Sequence, residues 1–233
     1  MTETFDMHRR LSEALADSTE AWRFLREFAE YWQQPLRPGD GWSERELRAA
    51  EARLGLRLPA ALREAYLVFG RRSDLTSNHD TLLAPDELRV VDGALVYRAE
   101  NQGCAFWGVM LDALEHDDPG TVMRLDLADK AQERWEAWNP SLTAACVEMV
   151  MSEAVQYDKG FTDYAEWETG DAGERLRDLL QELPAPGPDS RWFSGPDVLV
   201  RAVEGFCVHA RGRTAEAMEQ LRETLPWGDW LEG

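Results

Sequence analysis

Three cysteines, four histidines and 44 carboxylates are the groups of this 233-residue chain that could do chemistry, and their spacing decides which could act together. Cys104 lies in Asn101-Gln-Gly-Cys-Ala-Phe-Trp107. A thiol there could serve as a nucleophile, but it would need a distant His and Asn, and His209 has no companion motif. A strand cysteine in the core is the plainer reading. Cys207 and His209 alternate along a strand-like segment and could offer two metal ligands. Structural zinc takes about four, and no Cys-x-x-Cys or His-x-x-x-His supplies the others. His116-Asp117-Asp118 could ligate a hard cation, although the Pro119-Gly120 that follows favours an exposed turn. Carboxylates are so frequent that their spacing says little about acid–base pairs, and no glycine-rich phosphate loop is present. No catalytic residue, metal or cofactor is expected.

Binding is the better-supported chemistry. Glu100, Asn101, Gln102 and Trp107 sit at a strand-to-strand junction, where polar groups beside an indole could line a concavity. The alternative is that Asn101 and Gln102 satisfy turn backbone groups while Trp107 packs in the core. The acidic edge Asp112, Glu115, Asp117 and Asp118 is the preferred partner-facing surface, against a merely solvated loop.

These residues need elements to hold them. Segments 3–16 and 19–33 read as helices, the second opened by Asp17-Ser-Thr-Glu20, which has capping-box spacing, and carrying Trp22, Leu25, Phe28 and Trp32 on one face. Residues 34–41 form a turn-rich connector. Ser43-Glu-Arg-Glu46 is a second capping box, Gly55 stands where a helix should stop, and Pro59 can start the next one, which Gly70 ends. Residues 89–91, 94–99, 105–111 and about 121–126 read as an antiparallel meander with turns at Asp92-Gly93 and Asn101-Gln-Gly103. A helix follows from Pro140-Ser141 to about Tyr157, and Pro184-Ala-Pro-Gly-Pro188 is linker-like. A hairpin over 198–203 and 206–210 and a helix over 214–225 complete an α+β pattern.

A formal charge of −19 repels phosphate backbones and anionic lipid, so free nucleic acid and membranes are poor ligands and a basic partner is favoured. No apolar run approaches the roughly 20 residues of a membrane span. Residues 1–22 have no secretory pattern, and three widely spaced cysteines make no disulfide framework, so a cytoplasmic protein with buried thiols is expected.

The run from Trp42 to Gly70 resembles the opening signature of the SUKH superfamily (Smi/Knr-like), which includes fungal cell-wall regulators and many bacterial immunity proteins. Glu51, Leu54, Gly55, Leu58, Pro59, Tyr66, Phe69 and Gly70 carry that resemblance. A second block is similar to the bacterial branch: Leu82–Leu88, Glu100-Asn-Gln-Gly103, Trp107-Gly108 and Asp117-Asp-Pro119. The family's helix commonly ends Asn-Gly; here Phe69-Gly70-Arg71 lacks the asparagine. The tract Asn101–Trp107 also carries elements of papain-like peptidases, but Cys104 is only two residues after Gln102 and Phe106 stands before Trp107.

The resemblance implies helices packed on a mainly antiparallel sheet in one SUKH-like domain over 1–233. Its signature core spans about 42–157, with N-terminal helices over 1–41 and a C-terminal extension over 158–233. Gly55, Leu58, Pro59, Phe69, Gly70, Gly103, Gly108 and Pro119 would be structural. It further implies a non-catalytic immunity protein that neutralises a cognate toxin, a nuclease or deaminase, by direct binding. A regulatory interaction module is the alternative, and a cysteine hydrolase using Cys104 a distant one. The oligomeric state is left open.

Overall fold

A computed structural model describes residues 5–166, 172–188, 190–203, 207–225 and 229–230. The fold is α+β, and the chain divides into two compact units. A terminal unit comprises 1–34 and 151–233, and a central unit comprises 35–150. No helix among the described residues is long and apolar enough to cross a membrane.

The terminal unit opens with α1 (Met7–Ala16) and α2 (Ser18–Trp32). Asp17 caps α2, accepting from the backbone N–H of Thr19 and Glu20. Only half of the expected capping box forms. The Asp17 N–H already closes the last turn of α1 on the Glu13 carbonyl, so Glu20 has nothing there to accept and pairs with Arg23 instead.

In the central unit the helical hairpin is as the sequence spells it. Ser43 and Glu46 form the full reciprocal box at the start of α3 (Glu44–Leu54). Gly55 ends that helix at φ +69°, a left-handed conformation that glycine adopts without steric cost. Glu51 then staples the link, accepting from the Leu58 N–H at 3.0 Å and from Arg63 at 2.9 Å. Pro59 stands just before α4 (Ala60–Phe69), whose buried face is Ala61, Leu62, Ala65, Tyr66 and Phe69. Gly70 ends α4 for a reason other than handedness. Its φ is −61°, but a Cβ there would lie 2.7 Å from the Trp42 ring and 2.9 Å from Tyr66 Cα.

A short turn of helix, α5 (Ser73–Thr76), leads into a sheet of β1 (Thr81–Leu82), β2 (Arg89–Val91), β3 (Ala94–Ala99), β4 (Ala105–Met110), β5 (Val122–Leu125) and β6 (Glu136–Ala137). Every pairing is antiparallel, in the order β1-β3-β4-β5-β6 with β2 also on β3. Asp92 and Gly93 both have positive φ, the requirement of the tight hairpin turn that the Asp-Gly pair predicts. Helix α6 (Leu142–Ala154) is buried along its length, and the division between the units falls within it.

The chain returns to the terminal unit with β7 (Phe161–Glu166), α7 (Ala172–Arg177), β8 (Gln181–Leu183), β9 (Arg191–Gly195), β10 (Val198–Val203), β11 (Cys207–Gly212), α8 (Ala215–Thr224) and β12 (Asp229–Trp230). These strands form a second antiparallel sheet, ordered β12-β7-β11-β10-β9-β8. One face of that sheet, with Phe193, Val200, Val208 and Ala210, packs with Met218 and Leu221 of α8 in a buried core. The expected 198–203 hairpin forms, while its turn at Glu204-Gly205 lies outside the described residues. The proline-rich tract 184–188 is not a linker. It joins β8 to β9, which pair directly with Leu183 opposite Trp192.

Candidate functional site

The acidic edge occupies the loop after β4, which begins as a single 3₁₀ turn at Leu111–Ala113. Asp112, Glu115 and Asp117 are exposed on it. Asp118 is half-buried and engaged within the fold: its carboxylate accepts from the backbone N–H of Thr143 at 2.8 Å and from the Thr143 hydroxyl at 2.6 Å, at the start of α6. The loop is tied down elsewhere too. Leu111 N–H donates to the Gly93 carbonyl and Ala61 N–H to the Asp117 carbonyl, while Pro119 is buried behind it.

That second bond brings the acidic loop against the signature hairpin. Between them runs an open groove of about 1040 Å³. Half-buried Leu56, Leu67 and Leu114 and exposed Leu111 give it an apolar lining. Glu51, Glu64, Glu115 and Asp117 also line it, together with Arg57. Arg63 is there as well, but its charge is answered by Glu44 and Glu51. Gly55, Leu58 and Pro59 border the same groove, so the residues that resemble a family signature also shape a surface. The sequence offered the acids but not the groove. Nothing in the spacing of 111–117 says that it will lie beside 55–67.

In the other predicted cluster Trp107 turns inward while Asn101 and Gln102 stay exposed. Trp107 is 7% exposed; the Arg98 guanidinium lies over its ring at 4.6 Å, and Trp138 meets it edge-on at 6.1 Å. Glu100 accepts from the N–H groups of Gln102 and Cys104, with Gly103 at φ +76°, so its carboxylate organises the turn. Asn101 and Gln102 are exposed, and Asn101 Nδ2 lies 3.1 Å from His79 Nδ1. Cys104 is exposed on this turn and is not the core cysteine expected.

One group escaped the sequence reading. His79, Asp80 and Glu100 each bring a metal-ligating atom within 4.8 Å of the others. His79 and Asp80 stand some twenty residues before Glu100, with no motif spacing to join them. Each is also engaged elsewhere: His79 with Asn101, Asp80 with Arg98 at 3.1 Å, Glu100 with the turn. In the terminal unit Cys207 Sγ lies 3.4 Å from His209 Nε2, as the alternation of the pair suggests, and burial pushes the thiol up.

No family model, curated protein or solved structure matches this chain.

The three thiols give a direct check on these placements. Cys104 is exposed, whereas Cys146 and Cys207 are buried, and burial pushes both of those thiols up from their ordinary range. Since the thiolate is the reactive form, a maleimide added to native protein should label Cys104 rapidly and Cys207 slowly. Cys146 should react only on unfolding. Intact-mass kinetics with two fast-reacting thiols would contradict the placement of Cys207.

Proposed function

We propose that this chain is a non-catalytic inhibitor of the SUKH immunity type, which binds a cognate toxin domain, a nuclease or deaminase with a basic surface, and blocks it stoichiometrically. The observation that carries this reading is the groove. Exposed Glu115 and Asp117 of the loop stand beside the hairpin of the first signature block, around an apolar lining, on a chain of charge −19. A basic domain would be steered to such a surface, and its apolar contacts would hold it there. The ties of the loop at Leu111, Asp117 and Asp118 keep that rim in place before binding, which lowers the ordering cost of association.

The test is neutralisation rather than capture. A partner recovered from the source cells should be toxic when expressed alone and harmless when this chain is co-expressed. A partner whose expression is harmless would move the reading to a regulatory interaction module. With that toxin in hand, the triple change Asp112→Asn, Glu115→Gln and Asp117→Asn should slow association by about tenfold at low salt and flatten its salt dependence. Asp118 is left intact because it supports α6. Unchanged association kinetics would remove this surface from the interface.

A further inference from the structure

The walls of the groove say what shape of partner segment fits it, an inference that rests on the binding reading above. Helix α4 buries one face, but a second stripe, Ala60, Glu64 and Leu67, looks onto the groove at helical spacing. The opposite wall repeats the spacing with Leu111, Leu114 and Glu115, on backbone held in tight turns by Leu114 N–H to the Leu111 carbonyl and His116 N–H to the Ala113 carbonyl. Each wall is therefore a ridge of side chains at i, i+3 or i+4 and, on α4, i+7, and the space between two such ridges receives a third. The walls are helix and turn, with no strand among the residues that line the groove, so strand addition is not the mode it offers. The charge surplus of the lining is negative: Glu51, Glu64, Glu115 and Asp117 against Arg57 and Arg63.

We infer that the groove receives an amphipathic helix of the partner, with aliphatic residues at i, i+3/i+4 and i+7 seated on Leu67, Leu111 and Leu114 and with Lys or Arg flanking them.

The probe is a synthetic leucine–lysine peptide designed to be amphipathic as a helix, titrated by fluorescence anisotropy into the full-length chain at physiological salt. Two controls accompany it: a scrambled peptide of the same composition with no apolar face, and a version with Glu for every Lys. The amphipathic Lys peptide should bind saturably at one to one, and both controls about tenfold or more weaker. Leu67→Glu and Leu114→Glu should each weaken it by about tenfold or more. Glu219→Lys, at an exposed position of α8 in the terminal unit, should leave it unchanged. Hydrogen exchange on the unaltered protein should show protection by the peptide at 60–67 and 111–117, a readout that needs no variant to fold. Equal binding of the scrambled peptide, equal loss with Glu219→Lys, or protection elsewhere would overturn the inference. The toxin is absent from this experiment, so its failure would leave the neutralisation reading to its own assay.

Discussion

Arg98→Met should destabilise the central unit by about 3–5 kcal/mol, the cost typical of removing one partner from a buried ion pair. Arg98 is 3% exposed and reaches two carboxylates, Glu148 at 3.0 Å and Asp80 at 3.1 Å, while its guanidinium covers the ring of Trp107. Methionine preserves much of the aliphatic volume but leaves both acids facing a thioether. Urea unfolding, followed through amide exchange in β3 and β4, would read this unit alone. Adding Glu148→Gln to Arg98→Met should recover part of the loss, since a neutral amide is cheaper to bury than a carboxylate without its cation. A loss below about 1 kcal/mol would mean that the network contributes little, as exposed ion pairs do.

That network also shows where the sequence stopped being legible. Elements with a local cause were readable: the Ser43–Glu46 box, the left-handed stop at Gly55 and the Asp92-Gly93 turn each follow from chemistry within a few residues. The strands β1 and β6 are two residues each, too short for any period to show. Strand β7 is hidden differently. Its inward positions include Asp163, whose buried carboxylate meets Arg222 at 2.6 Å, so the apolar alternation that marks a strand is interrupted by a charge with a partner 59 residues away. Strands β8 and β9 flank the proline-rich tract, whose composition looks like a linker until Leu183 is seen opposite Trp192.

The candidate site divides along the same line. Exposure of Asp112, Glu115 and Asp117 follows from a polar loop between elements, and the sequence suffices for it. The inward turn of Asp118 depends on Thr143, and the burial of Trp107 depends on Arg98 and Trp138, all distant in the chain. The two walls of the groove are joined where Ala61 N–H donates to the Asp117 carbonyl. That backbone contact leaves no mark in residue types.

Gly41→Ala should cost about 2–4 kcal/mol, well above the roughly 1 kcal/mol expected for Gly55→Ala, although only Gly55 has a positive φ. At Gly55 a Cβ would meet open space, so the penalty is conformational alone. At Gly41 a Cβ would fall 1.8 Å from the Leu67 carbonyl oxygen, a separation that the backbone must move to relieve. Movement there is expensive because residues 40–42 are strapped across the last turn of α4. Trp42 N–H donates to the Tyr66 carbonyl at 2.8 Å, Trp42 Nε1 to the Gly70 carbonyl at 3.0 Å and Arg71 N–H to the Asp40 carbonyl at 2.9 Å. The Trp42 indole satisfies the Gly70 carbonyl just past the helix end and the other two bonds fasten the strap to the last turn, each contributing about 1 kcal/mol. Thermal unfolding of the two single variants checks the order directly. If Gly55→Ala proved the more damaging, the strap would be looser than these contacts require, and α4 would have to be positioned by its buried face alone.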